Sequence, residues 1–193
     1  MVNNMKKIKQ YILFFLLACT FISQPALCED DQATMEGASL YTQVNIWYER
    51  PMKILATNYH VGAILPIGSP VNIESVDDDE IIFIDKTGGK YRIIIKRKHT
   101  NIQGPQLVKK LFSKKNVMSK GGAFYKLSKL EQKNVKAGTV AKGMSKKAVL
   151  MAYGYPPSIR THSTEQDNWT YWKNRWVTRI FSFENGKISN IKG

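Results

Sequence analysis

Residues 143–158, GMSKKAVLMAYGYPPS, and residues 168–192, NWTYWKNRWVTRIFSFENGKISNIK, decide how the C-terminal part of this chain folds. The first segment carries every signal of one short helix. Ser145 stands at the N-cap, Val149, Ala152 and Tyr153 share an apolar face, Gly154 supplies a left-handed end and Pro156 blocks continuation. The second segment reads as three strands. NWTYWKN and RWVTRIFSFE are joined to KISNIK by Asn185-Gly186, the strongest short hairpin signal a sequence offers. A helix followed by an antiparallel meander predicts an α+β unit over residues 139–193.

Upstream, the pattern changes to short strands separated by turns. LYTQVNIWY (40–48), MKILATNY (52–59), AILPIG (63–68), PVNIESV (70–76), EIIFID (80–85) and KYRIIIK (90–96) are broken by Glu49-Arg50-Pro51, Gly68-Ser69-Pro70, Asp77-Asp78-Asp79 and Lys86-Thr87-Gly88-Gly89. That spacing predicts a small all-β barrel over residues 39–97. Val71, Ile73 and Val76 are apolar among polar neighbours. Ile82 and Ile84 face away from Ile81 and Phe83, so the second side of that strand is also expected to be covered. Residues 98–138 lose the strand signal and predict a basic connector with helical pieces. GPQLVKKLFSKK (104–115) sets Leu107, Val108, Leu111 and Phe112 at helical spacing and is expected to pack on the barrel; AFYKLSKLEQKNVKAG predicts a further helix ending near Gly138.

The N-terminus has the order of a secretory signal. Lys6, Lys7 and Lys9 precede the uncharged core YILFFLLACTFIS (11–23), and Ala26-Leu27-Cys28 offers a cleavage site before a polar leader at 29–38. The apolar run is short for a spanning helix, which needs about 20 residues. Both cysteines, Cys19 and Cys28, fall inside residues 1–28, so cleavage there leaves a chain without thiols and excludes a disulfide-stapled scaffold. The stretch Leu16-Leu17-Ala18-Cys19 also resembles a lipobox, in which Cys19 would be lipidated; the sequence leaves both routes open. The chain is therefore expected to be exported to the periplasm, soluble or associated with the outer membrane, meeting membrane peripherally or by a lipid anchor.

Charge narrows the partners. The net charge of +14 falls to +11 once Lys6, Lys7 and Lys9 are removed, and between Lys86 and His162 the only acidic residue is Glu131. A field of that sign attracts polyanions. Outside the cytoplasm these are anionic phospholipid, lipopolysaccharide and peptidoglycan rather than nucleic acid. Lys109, Lys110, Lys114, Lys115, Lys146 and Lys147 are the candidate contacts for them.

Two resemblances add to this reading. Gly143, Met144, Ser145, Val149, Gly154, Pro156, Trp169 and Tyr171, with Phe183 and Gly186 near the last turn, match the motif of the SmpA/OmlA (BamE-like) domain family: a Gly-Met-Thr/Ser turn, a short helix with a central Val, Gly-x-Pro, then Trp-x-Tyr on a strand. Residues 139–193 resemble that family. Its members are non-enzymatic, contact barrel-assembly partners at the outer membrane and are associated with anionic phospholipid. They are little more than this domain on a lipidated cysteine, whereas here a β-rich region precedes it. That region, ILPIGSPVNIESV through IIFIDKTGGKYRIII, resembles bacterial Src-homology-3-type barrels, which implies cell-wall peptide binding or protein docking.

Trp169, Tyr171, Trp172 and Trp176 crowd eight positions. Strand alternation sends Trp169 and Tyr171 to one face and Trp172 to the other, and exposed tryptophan beside arginine is an interface signature. Trp169, Trp172, Trp176, Arg175 and Arg179 are accordingly the candidate residues for an envelope protein partner. Chemistry is not expected. Ser145 has no nucleophile elbow around it and reads as a cap. His60, His99 and His162 lack ligand spacing and read as isolated surface or turn residues, and Asp77-Asp78-Asp79-Glu80 lacks a calcium-loop pattern. The expectation is a non-enzymatic envelope adaptor supporting outer-membrane protein assembly or envelope integrity, with no cofactor and no metal. A peptidoglycan or glycan-binding module and a secreted inhibitor of an envelope enzyme are the alternatives.

Overall fold

The structure is a computed structural model that describes residues 35–193. The signal sequence, Cys19 and most of the leader lie outside the described residues. No helix among the described residues is long and apolar enough to cross a membrane.

The chain is α+β and builds two cores. Around the first, a six-stranded sheet curls into a half-barrel, in the order β3 (Ile54–Leu55), β7 (Lys90–Ile94), β6 (Glu80–Asp85), β5 (Pro70–Val76), β1 (Ser39–Thr42), β8 (Phe112–Ser113). A separate ribbon pairs β2 (Ile46–Tyr48) with β4 (Ala63–Leu65). Strands β5 and β6 coincide with the predicted segments. Val71, Ile73 and Val76 are all buried although the last breaks a two-residue period. A register shift between Ile73 and Ser75 adds one residue to β5 and returns Val76 to the inner face. Ile81 and Phe83 are fully enclosed, while Ile82 and Ile84 are half-buried.

Three predicted elements change. Residues 40–48 form two strands in different sheets, because the chain bends at Gln43–Asn45, where Val44 stays in the first core and the Asn45 amide donates to Met151 O of the second. MKILATNY keeps only the two residues of β3, parallel to β7. Pro51 opens a 3-10 turn before it and Asn58, at φ 56°, turns the chain after it. The helix expected over 104–115 stops at Leu111. Helix α1 (Gly104–Leu111) buries Leu107 and Val108 in the first core, but Phe112 becomes extended, pairs with Thr42 in β1 and sets its ring 5.1 Å from Phe83.

The second core lies between helices α2 (Lys129–Ala137) and α3 (Lys146–Tyr153) and the sheet β11 (Lys187–Lys192), β10 (Thr178–Glu184), β9 (Asn168–Trp172). The two middle residues of the Glu184–Lys187 hairpin, Asn185 and Gly186, have φ of 50° and 73°, the conformation their Asn-Gly pairing favours. Ser145 caps α3 as expected, accepting a hydrogen bond from the Ala148 amide. Small residues on the helix meet large ones on the sheet: Ala148 and Ala152 are fully buried, as are Trp169, Tyr171 and Phe181. Phe124 and Val135 join this core, so residues 98–138 are shared between the two cores.

Candidate functional site

An α-helix ends with carbonyls that lack intrahelical partners. The left-handed end expected at Gly154 does not form: φ is 75° but ψ is −175°, so the chain leaves α3 extended. Three side chains from the N-terminal half supply the missing donors. Asn45 Nδ2 donates to Ala152 O at 3.0 Å and to Val135 O of α2 at 2.8 Å, while its Oδ1 accepts from the Ile67 amide at 2.8 Å. Asn58 Nδ2 donates to Tyr153 O at 2.8 Å and Tyr155 O at 3.2 Å, and His60 Nε2 reaches Tyr153 O at 2.7 Å. A Cβ at Gly154 would stand 2.7 Å from Asn58 Nδ2, so the interlock requires glycine there.

His60 is therefore not an isolated surface residue. Its ring stacks on Tyr153 with centroids 3.3 Å apart and meets Tyr171 and Trp47 edge-on at 5.4 and 5.7 Å. Donation from Nε2 makes Nδ1 the bare nitrogen of a neutral ring, and Nδ1 is buried without a hydrogen-bond partner. Burial lowers the pKa to about 4. The carbonyls of Tyr153 and Trp172 favour the charged ring but are outweighed, and nearby Arg179 adds to the depression.

Above this interlock the sheet carries an exposed hairpin. Trp176 is 78% exposed and Val177 42%. Arg175 lies over the Trp176 ring at 4.5 Å, and Arg160 over the half-buried Trp172 at 4.8 Å. The turn Trp172–Thr178 contains Lys173 and Arg175 and no carboxylate. It therefore offers aromatic surface within a positive field.

Two predicted members do not belong to this surface. Trp169 is fully buried, its indole N–H spent on Gln166 O at 3.0 Å and its ring 4.6 Å from Phe183. Arg179 pairs across the strands with Tyr171, not with Trp172, which puts it on the inner face. Its guanidinium reaches the Tyr153 hydroxyl at 3.2 Å. Trp172, Arg175 and Trp176 remain together.

The six lysines disperse. Lys109, Lys114, Lys115 and Lys147 are exposed. Lys146 is tied to Asp167 at 3.0 Å and to Glu165 O at 2.7 Å. Lys110 sits over the Tyr155 ring at 5.1 Å. Glu131, the lone acid of the basic region, completes a capping box with Ser128 on α2 and accepts from the Ser145 amide of α3 at 2.8 Å. Burial pushes its carboxyl up, but these bonds from Ser145 and Ser128 prevail and hold it near 2. The described residues contain no group of three or more side chains fit to hold a metal ion.

Asn45, Asn58 and His60 carry no local signal of their role, since their partners lie roughly 90 or more residues away. Arg179 could have been placed by counting across the hairpin: pairing Trp172 with Thr178 forces Tyr171 opposite Arg179.

Comparison with models of protein families, with curated proteins and with solved structures finds no match to this chain.

Proposed function

We propose that this is a non-enzymatic adaptor of the cell envelope, exported to the periplasm or the outer-membrane surface, which docks a protein partner on the hairpin carrying Trp172, Arg175 and Trp176. The observation that carries the reading is Trp176: a tryptophan 78% exposed, stacked on an arginine, on a turn without acidic residues. With Val177 beside it, the Trp176 ring leaves apolar surface open to a partner, and Trp and Arg are enriched among binding hot spots. The interlock supports the reading, because His60 and Tyr153 brace the strand end from which this hairpin projects and keep it ready for a partner. The Gly-Met-Ser turn, the capped helix and the three-stranded meander favour an SmpA/OmlA-type role in outer-membrane protein assembly. The half-barrel preceding them favours a Src-homology-3-type docking module.

The test is a photo-crosslinker placed at exposed Val177, beside an intact Trp176, or, as control, at exposed Asn190, in cells that make the protein. Crosslinks specific to 177 that disappear with Arg175→Glu are expected. Trp176→Ala should abolish docking yet change folding stability by less than about 0.5 kcal/mol. Equal crosslinking from both positions would remove the hairpin from the function.

A further inference from the structure

Beside the hairpin a second arginine stands in the same arrangement as Arg175. Arg160 carries no local signal in the sequence, yet its guanidinium lies 4.8 Å from the Trp172 ring centre, as that of Arg175 lies 4.5 Å from Trp176. Both arginines are exposed, and neither forms an ion pair or a side-chain hydrogen bond among the described residues. The backbone under each is pinned. The amides of Arg160 and Thr161 both donate to Pro157 O at 2.9 Å, and Thr161 Oγ1 accepts from the Thr170 amide of β9 at 2.9 Å, which fixes the Arg160 turn to the strand. In the hairpin, Asn174 Oδ1 accepts from the amides of Trp176 and Val177 at 2.8 and 2.9 Å, and the Lys173 amide donates to Val177 O at 2.8 Å. A planar guanidinium laid on a ring and seated on a fixed turn loses little freedom on binding and keeps its fork open to a carboxylate.

Strand addition does not suit this edge. β9 ends its sheet, but the Thr170 amide is spent on Thr161 and the Trp172 carbonyl lies against the His60 ring, so a peptide backbone would find positions already taken. Recognition therefore falls to the side chains, and the field around them is positive. Asp167 stands about 17 Å from Trp172 along the extended strand and is paired with Lys146 at 3.0 Å. Glu184 closes β10 at the end away from Trp172. Ile159 and Val177, 44% and 42% exposed, add apolar surface next to the two arginines in the chain.

We propose that the docking surface is a two-arginine clamp for an acidic segment of the partner protein: Arg160 and Arg175 each take one side-chain carboxylate bidentately, and the Trp172 and Trp176 rings pack against apolar residues of the same segment. The clamp rests on the hairpin docking proposed above and adds to it Arg160 and the chemistry of the partner.

Fluorescence anisotropy of the purified protein with a short labelled peptide of repeating Asp-Glu-Phe tests it. The wild-type protein should bind this peptide saturably and a repeating Asn-Gln-Phe peptide at least about tenfold more weakly, because charge-assisted hydrogen bonds are lost. Arg160→Gln and Arg175→Gln should each weaken the acidic peptide about tenfold with unchanged melting curves. Arg160→Lys should weaken it similarly, since an ammonium cannot form the fork. Lys192 shares the Trp172 face of the sheet through Ile180 and Thr170; Lys192→Gln removes the same charge without a stacked fork and should weaken binding less than about twofold. Equal losses in Arg160→Gln and Lys192→Gln, or full binding by Arg160→Lys, would reduce the clamp to bulk charge and overturn it. Phosphatidylglycerol vesicles that bind through both arginines while the peptide does not bind would overturn it as well. Mass spectrometry of the segment crosslinked from position 177 separates this inference from the one beneath it. An acidic segment supports the clamp. Crosslinks specific to 177 on a segment without carboxylates overturn the clamp and leave hairpin docking standing, whereas equal crosslinking from 177 and 190 removes both.

Discussion

The two cores of this protein are filled by different means. The N-terminal half-barrel is packed mainly with β-branched and aliphatic side chains, among them Val71, Ile73, Ile81 and Ile93, with Phe83 and Phe112 in edge contact. Such residues need only the correct face of a strand. The C-terminal core is aromatic, with Phe124, Tyr153, Trp169, Tyr171, Phe181 and Phe183 packed against a helix kept slim by Ala148 and Ala152. Large rings bring polar handles that must be satisfied on burial. Tyr171 donates its hydroxyl to Gly154 O at 2.8 Å and Trp169 its indole N–H to Gln166 O. The first core is expected to tolerate small changes of shape, whereas the second depends on particular hydrogen-bond acceptors, one of which, Gly154 O, lies at the interlock.

The largest expected effect separates the two directly. Trp169→Ala should cost about 4 kcal/mol in urea denaturation, against about 1 kcal/mol for Ile81→Val in the half-barrel. Both halves should still unfold in one transition, because Asn45, Asn58 and His60 tie them together. Two separate transitions in the Trp169 variant would break the claim that the interlock makes the cores one cooperative unit.

The interlock itself gives an acid-sensitive contribution. His60 has a folded pKa of about 4, below its ordinary 6.5, so its neutral form stabilises the fold fully above pH 6.5 and that contribution is lost as pH falls through 4. The shift corresponds to about 3 kcal/mol. Stability measured at pH 7 and pH 4 should therefore fall by several kcal/mol in the wild-type protein and by distinctly less in His60→Gln. An identical pH dependence in the two would mean that the ring is not held neutral by the junction.

A smaller effect sharpens the comparison from the helix side. Glu131→Gln should cost about 1–2 kcal/mol, since the amide replaces a carboxylate that accepts from Ser128 and from the Ser145 amide. Because the Glu131 carboxyl is held near 2 rather than 4.5, its contribution is complete above pH 4.5 and fades as pH drops toward 2, largely below the His60 window. Urea titrations of Glu131→Gln and His60→Gln across both windows should lose different segments of the same acid-denaturation curve.

Much of the fold was readable because its signals are local. Pro70–Val76 and Glu80–Asp85 are bounded by turns and appear as strands over those residues, Ser145 caps α3, and Asn185-Gly186 closes the last hairpin. Local reading failed where one residue could serve two periodicities. Phe112 fits the apolar face of a helix in sequence yet is extended in the fold, because pairing with β1 and contact with Phe83 compete with one more helical turn. Of the five candidate residues, Trp172, Arg175 and Trp176 lie on the end of β9 and its turn, whereas Trp169 is enclosed and Arg179 faces inward. A tryptophan looks the same in sequence whether it fills a core or projects from a hairpin, and only the register distinguishes Arg179 from Arg175.

By itself the sequence determined the basic field, the α+β order of elements, the cap of α3 and the hairpin that presents Trp176, all set by neighbours within a few positions. The tertiary structure alone decided how α3 ends and that Trp169 is enclosed while Trp176 stays open to solvent. Asn45, Asn58 and His60 reach carbonyls 90 to 107 residues away along the chain. Such pairings follow from how the two cores pack and leave no periodic trace in the sequence, because each partner's own neighbours would accept it equally well facing water.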